Sequence, residues 1–362
     1  MEIIAKIKGI KYKKEIEKEL KTLSLKNFNI NSAPSSLIIS DEQNTFAISK
    51  WVSPKRTRSY PDERIYDTIG ISKKITVIPI VKDEGQLGDR DFLQWDTISL
   101  MSLLDVFVIF AYYNKAQKSY RKITNQQFDN TYVISKIKEI KQYHSSALHW
   151  NLKELQNLHS VIDRIKSNYL AIEKTTKVKL HNFKGLDNFK NRIGKDVDEF
   201  MEFSRGKAKK AQNREMLTTQ PKENLNSATK AKITITNYLG GQYYFTVDEV
   251  EIKSNEVMLI ESKHTKNSIL PSISDIKDGL LKMILYANLD NVCFNNKNMK
   301  SKAVLRLTAK KFIGQIVSND SLKTINDGFV KNALSQKQID FVKALFKEAQ
   351  INQFIVQVQE AK

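Results

Sequence analysis

The stretch Val247-Asp248-Glu249-Val250-Glu251-Ile252-Lys253-Ser254-Asn255-Glu256-Val257-Met258-Leu259-Ile260-Glu261-Ser262-Lys263-His264 constrains this chain more than any other. It reads as two short strands joined at Ser254-Asn255, a turn-forming pair. A two-residue loop there pairs Lys253 with Glu256, Ile252 with Val257 and Val250 with Leu259. The same register sets Asp248 opposite Glu261, and cross-strand partners share a face. Lys263 lies two residues past Glu261 and returns to that face through the period-2 alternation of a strand. Two carboxylates and an ammonium are therefore expected to converge at the end of one hairpin.

Such a set suits a hard divalent cation. Mg²⁺ takes oxygen ligands from one or two carboxylates and keeps several waters. Asp248 and Glu261 are the expected ligands, with the Ser262 carbonyl as a third. Lys263 would orient or help deprotonate an attacking water, or stabilise developing negative charge. Phosphodiester hydrolysis needs these provisions: a neutralised phosphate, an activated water and a stabilised leaving oxygen. A solvated hairpin with cross-strand charge pairs is the alternative arrangement, and a slipped register would make Glu249 or Glu251 the upstream ligand. The E-x-K triplets Glu139-Ile140-Lys141 and Glu251-Ile252-Lys253 lack the context. The first lies in a helical pattern, and the second has no acid 10 to 20 residues upstream.

Asp248, a gap of 12 residues, and Glu261-Ser262-Lys263 at the end of the apolar strand Val257–Ile260 resemble the PD-(D/E)xK nuclease superfamily. Within it the chain is most similar to type II restriction endonucleases. The resemblance covers roughly residues 240 to 295, including a helix-like segment from Ser274 to Tyr286. Val247 stands where the family pattern has proline. The resemblance implies an α/β (α+β) fold with a restriction-endonuclease-like mixed sheet flanked by helices, one of them packed on the sheet after the second catalytic strand. It implies Asp248, Glu261 and Lys263 as catalytic residues, Mg²⁺ as cofactor and double-stranded DNA as substrate, cut at a short recognition sequence. Cutting both strands of a palindrome calls for two sites, so a homodimer is implied, as is a cognate DNA methyltransferase acting on the same site. Two alternatives remain open: a non-catalytic nucleic-acid-binding protein with a degenerate nuclease fold, and a DNA repair or mobile-element nuclease.

Charge points the same way. The 362 residues carry a formal net charge of +19, which favours polyanionic partners. The loop Ser53-Pro54-Lys55-Arg56-Thr57-Arg58-Ser59-Tyr60-Pro61 packs three cations between prolines that disfavour helix, making Lys55, Arg56 and Arg58 candidate DNA contacts. The acid-free run Arg205 to Arg214 adds Arg205, Lys207, Lys209 and Lys210 as residues that can follow a phosphate backbone. No membrane segment is expected. The most apolar run, Leu100 to Tyr113, has 14 residues and contains Asp105, against the roughly 20 a span requires. A single cysteine, Cys293, and the absence of a secretory pattern at the start fit a reducing, cytoplasmic setting.

Three regions are expected: an N-terminal α+β recognition region over 1–130, a helical region with the basic segment over 131–230, and a catalytic core over 231–362. In the first, Ile75–Val81 reads as a strand. Asp96 to Lys118 reads as a buried helix whose Phe107, Phe110, Tyr112 and Tyr113 are core. In the second, apolar spacings of three and four predict two or three long helices. In the third, strands at 233–236, 243–247 and 303–307 are expected in one sheet, with a helix over 335–350 and a mixed tail at 354–358. Lys282 and Tyr286, one helical turn apart, are candidates to line the groove, with core packing as the other reading of Tyr286. Asp83, Glu84, Asp89, Asp91 and Asp96 form an acidic cluster in which a second metal site is conceivable. His264 should point to the sheet face opposite Lys263. The histidines and the lone cysteine match no zinc spacing, and no phosphate-loop motif is present.

Overall fold

A computed structural model describes residues 2–17, 19–41, 44–55, 61–195, 230–238 and 242–361, with isolated helical positions between 202 and 213. The fold is mixed α/β: several sheets, flanked by nine helices among the described residues. The chain divides into two compact units, Met1–Lys18 with Gly206–Lys362, and Glu19–Arg205. The three regions expected from the sequence thus regroup. The N-terminal strand joins the C-terminal third, and residues on both sides of position 130 share one unit. Pairing between distant segments leaves no local signal, so the sequence pattern gives no warning of this regrouping.

The first unit holds two sheets. Its elements are β1 (Glu2–Ile7), β2 (Ala231–Asn237), β3 (Gln242–Val247), β4 (Glu249–Lys253), β5 (Glu256–Thr265), α1 (Ile273–Tyr286), β6 (Asp290–Phe294), β7 (Lys300–Ala309), β8 (Gln315–Val317), α2 (Leu322–Lys331), α3 (Gln336–Ile351) and β9 (Ile355–Glu360). One sheet runs β3-β2-β1-β6, with a two-residue strand at Lys297–Asn298 on its edge. The other runs β4-β5-β7-β9-β8. Its centre is parallel, β5 to β7 and β7 to β9, and both its edges are antiparallel. The expectation that strands 233–236 and 243–247 lie beside 303–307 is therefore corrected. The first, β2, pairs with β1 instead, in parallel from Glu2 opposite Lys232 to Ile7 opposite Asn237, and the second, β3, lies antiparallel on the outer side of β2. Asp248 is the one residue between β3 and β4, the point at which the chain leaves one sheet for the other.

The second sheet buries its centre on both faces: Val257, Leu259, Ile260, Val304, Leu305 and Leu307 are all buried. Continuous apolar runs of this kind suit parallel strands covered by helices. α1 supplies one cover through Ile276, Leu280, Met283 and Ile284, which recur at three- and four-residue spacing and are buried. Ser272 caps α1 by accepting from the Asp275 N–H, and Asp275 adds a carboxylate to the first turn.

Glu348 on α3 fastens the N-terminal segment to this unit. Its fully buried carboxylate accepts from Tyr12 Oη at 2.6 Å and from the backbone N–H groups of Glu15 and Ile16 at 2.8 and 2.9 Å.

In the second unit, strands Thr22–Ser24, Ser36–Asp41, Asn44–Lys50, Lys73–Pro79 and Val106–Ala111 form a five-stranded mixed sheet. Helices Asn130–Lys141 and Ala147–Gln156 cover it through Val133, Ile137, Ile140 and Trp150. About half of the long helix expected from Asp96 to Lys118 is strand. A helix ends at Leu103, Asp105 takes a left-handed φ of 54°, and strands Val106–Ala111 and Tyr113–Ser119 follow. A fully buried strand is as apolar as a buried helix, so periodicity alone misassigns it. The β-branched and aromatic residues after Asp105 are the discriminating feature. Phe107, Phe110, Tyr112 and Tyr113 are core, as expected. Among the described residues the helical middle holds four helices, Asn130–Lys141, Ala147–Gln156, Leu158–Thr176 and Lys184–Lys195, where two or three long ones were expected. Among the described residues no helix is long and apolar enough to cross a membrane.

Replacing Glu348 by alanine strands buried donors, at roughly 1–3 kcal/mol each. Glu348→Ala is therefore expected to lower stability by on the order of 3 kcal/mol or more and to open residues 12–16 to rapid amide exchange. Unchanged protection of the Glu15 and Ile16 amides would show that the segment is held some other way.

Candidate active site

The hairpin forms in the register the alternation predicts. Lys253 pairs with Glu256 across the Ser254-Asn255 turn, Val250 with Leu259, and Glu249 with Ile260. One residue beyond, Asp248 stands at the β3–β4 junction, 2 % exposed, and its Oδ2 accepts from the Ser262 N–H at 2.8 Å. The upstream carboxylate is thereby fastened to the peptide immediately following Glu261.

Glu261 is the centre of the cluster. Its side chain is 2 % exposed, with Lys263 Nζ 3.0 Å from Oε1 and Lys282 Nζ 2.7 Å from Oε2. Burial pushes its pKa up, but the ammonium groups of Lys282 and then Lys263 more than offset this and hold it below the ordinary carboxylate value. Glu261 is thus a buried anion at neutral pH. Lys263 also meets Asp278 Oδ2 at 2.6 Å. Burial alone would lower its pKa; Glu261 and Asp278 reverse that and raise it, so Lys263 is an ammonium at neutral pH. Of the four charged groups, Asp278 is the most open, with 43 % of its side chain exposed against 15 % for each lysine. Solvent reaches the cluster on that side.

Asp278, Gly279 and Lys282 were not part of the predicted site, although Lys282 was a candidate for the groove. All three come from α1, which crosses β5 and β7. Gly279 allows the approach: a Cβ there would lie 2.7 Å from Leu305 Cδ1 and 3.2 Å from Lys263 Cε. The spacing of Asp278 and Lys282, four apart on a helix just after the E-x-K strand, is the sequence signal that could have found them. Tyr286, the other groove candidate, is buried.

The opposite face of the hairpin is occupied by different charges. Arg306 Nη2 lies 3.0 Å from Glu251 Oε1, Nη1 meets Glu249, and Nε donates to Gln357 Oε1 at 3.0 Å. Glu249 and Glu251 are therefore held away from Glu261 and Lys263, which removes them as upstream ligands. His264 also lies on that face. Its Nδ1 is 3.0 Å from Thr308 Oγ1, and burial, then Lys266 and Lys310, push its pKa down.

Hard oxygen donors are present for a divalent cation: the ionised carboxylate of Glu261, the carboxylate of Asp248 and the intervening peptide at Ser262. Among the described residues, no three His, Cys, Asp or Glu side chains gather as a metal-holding group, there or in the acidic stretch of residues 83–96. In that stretch Asp83 is instead tied to His181 Nδ1 at 2.9 Å and to the Gly85 N–H at 2.8 Å. Of the predicted DNA contacts, Lys55, Lys209 and Lys210 are exposed. Arg56, Arg58, Arg205 and Lys207 lie outside the described residues.

The clash geometry at Gly279 makes a prediction. Alanine improves helix propensity by about 1 kcal/mol, but overpacking costs typically 1–3 kcal/mol. Gly279→Ala is expected to lower the melting temperature, and to lower it by less when introduced into a Leu305→Ala background. A Gly279→Ala chain melting at or above the wild type would show that α1 can lift off the strands without penalty.

No protein family, curated protein or solved structure matches this chain.

Proposed function

We propose that this protein is a Mg²⁺-dependent endonuclease that hydrolyses phosphodiester bonds of double-stranded DNA. In this reading its fold is of the PD-(D/E)xK type and its role that of a type II restriction endonuclease recognising a short sequence. The observation that carries it is the state of Glu261, an ionised carboxylate kept almost wholly out of water beside two ammonium groups, with Asp248 bonded to the next peptide. Burying an anion in this way is costly, and replacing such clusters by apolar residues is often neutral or stabilising. A charge cluster that stability does not require is better accounted for by chemistry.

Asp248, Glu261 and the Ser262 carbonyl would hold Mg²⁺, which supplies charge neutralisation and an acidified water. Lys263, protonated at neutral pH, acts as a donor: it orients the attacking water and stabilises charge developing on the phosphoryl oxygens. It is poorly suited to serve as the base. Asp278 positions the Lys263 ammonium, and Lys282 balances Glu261 from the helix side. Exposed Lys55, Lys209 and Lys210 support the DNA contacts that the charge of +19 suggests. A homodimer, a methyltransferase of matching specificity and a cytoplasmic setting belong to this reading.

Lys263→Ala and Glu261→Ala are each expected to lower Mg²⁺-dependent nicking of plasmid DNA by at least ~100-fold, while circular dichroism and salt-dependent DNA binding stay near wild type. Wild-type protein that binds DNA but never nicks it with Mg²⁺, and whose Lys263→Ala variant behaves identically, would establish a non-catalytic binder instead. Discrete fragments from a plasmid panel support sequence recognition; smears or end resection point to repair or mobile-element processing.

A further inference from the structure

The Glu19–Arg205 unit carries a cationic recess. It is formed where three backbone segments meet: the loop after Asp83, the tip of the hairpin Tyr113–Ser119/Lys122–Phe128, and the segment following the helix Leu158–Thr176. Gln86 N–H donates to the Lys179 carbonyl at 3.0 Å, and Ile123 N–H to the Glu84 carbonyl at 3.1 Å. Gly85, at φ 101°, lets them close up; a Cβ there would lie 3.1 Å from Val178 Cγ1 and 3.6 Å from the Arg121 carbonyl. The recess has a volume of about 260 Å³, and its charged lining is Lys118, Arg121, Lys177 and Lys179, with no acidic side chain.

Two features separate this from an ordinary lysine-rich surface. First, none of the four cations has an ion-pair partner among the described residues, whereas nearby Lys82 is paired with Glu84 at 3.2 Å. Second, two lining residues occupy backbone positions that stability alone would assign otherwise. Tyr120, at φ 55°, sits in the two-residue loop between Ser119 and Lys122, 82 % exposed, with the Arg121 guanidinium 5.3 Å from its ring centre. Such loops favour Asn or Gly, and a bulky residue at positive φ is an outlier. Lys177, also at φ 55°, is the left-handed cap of its helix, a position where glycine is preferred. Residues held in sparsely populated backbone conformations cluster at functional sites; eight other described non-glycine residues also have positive φ, and what marks the recess is that two of them coincide with four cations unpaired among the described residues.

We propose that this recess and the Tyr120 tip bind the phosphodiester backbone of nucleic acid: Lys118, Arg121, Lys177 and Lys179 neutralise phosphates, and a base stacks on Tyr120. The volume falls below the ~300 Å³ at which small-molecule sites begin, which suits one phosphate of a polymer better than a free nucleotide. A nearly fully exposed ring flanked by arginine is the arrangement on which bases stack without sequence preference. The proposal goes beyond the cleavage reading, and binding measured in EDTA separates the two.

The test uses substitutions that relieve the backbone while removing the function. Lys177→Gly and Tyr120→Asn place residues tolerant of positive φ at both positions, so melting temperatures are expected to stay level or rise. Affinity for a fluorescein-labelled 20-base-pair duplex, measured by anisotropy with a matching single strand in parallel, is expected to weaken roughly tenfold for each. Arg121→Ala with Lys179→Ala is expected to reduce the slope of log Kd against log salt by about 2 for the duplex. If the Gly or Asn variant fails to fold, this pair carries the same reading. A larger Tyr120→Asn loss on the single strand assigns the tip to unpaired bases; equal losses assign it to the duplex; both support the site. Unchanged affinity and salt slope across all variants would overturn it. So would wild-type binding to phosphatidylserine vesicles with none to either nucleic acid.

Discussion

Glu261 is the charge about which the C-terminal sheet is organised. An ion this far from water is tolerable only when paired and hydrogen-bonded. Here one partner comes from its own strand, through Lys263, and another from the covering helix, through Lys282. The pairing locks helix to sheet at a point where close packing is already required, because Gly279 lies directly on Leu305 and the Lys263 stem. Electrostatics and shape thus set one α1 position. If the helix shifts by a turn, the buried carboxylate loses Lys282, and a side chain in place of Gly279 strikes the strands.

Asp248 adds a different constraint. It occupies the junction at which the chain leaves the β3-β2-β1-β6 sheet for the β4-β5-β7-β9-β8 sheet, and its carboxylate bonds to the backbone of β5. The crossover between sheets and the upstream acid are therefore the same residue. On the far face, Arg306 gathers Glu249 and Glu251. The hairpin carries acids on both faces, but each set is given its own cations, so the two do not compete for the same partners.

The hairpin was legible in the sequence because its information is local: strict alternation, a turn pair and cross-strand partners a few residues apart. From those, the hairpin register, the shared facing of Glu261 and Lys263, and the opposite facing of His264 followed. What was not legible depends on pairing or approach between distant segments. Nothing in Ile233-Thr234-Ile235 states that its parallel partner is Ile3-Ile4-Ala5. Nor does the Asp278-Gly279-Leu280 segment declare that its glycine faces a strand, since a glycine inside a helix lowers propensity whatever its reason. Asp105 is the instructive failure. Read as a polar interruption of a helix, it is the left-handed stop that separates a helix from a strand.

The same contrast bears on what the net charge of +19 means. In the Glu261 cluster and at Arg306 each cation is matched to a carboxylate and partly withdrawn from water, so these groups add little to the long-range attraction of a polyanion. Around Gly85 the four cations have no ion-pair partner among the described residues, and the backbone takes positive φ at Lys177 and at neighbouring Tyr120. A compositional excess of lysine would distribute its charges without regard to turn chemistry. An excess shaped for an anionic ligand would place a cation, as at Lys177, where the fold itself prefers glycine.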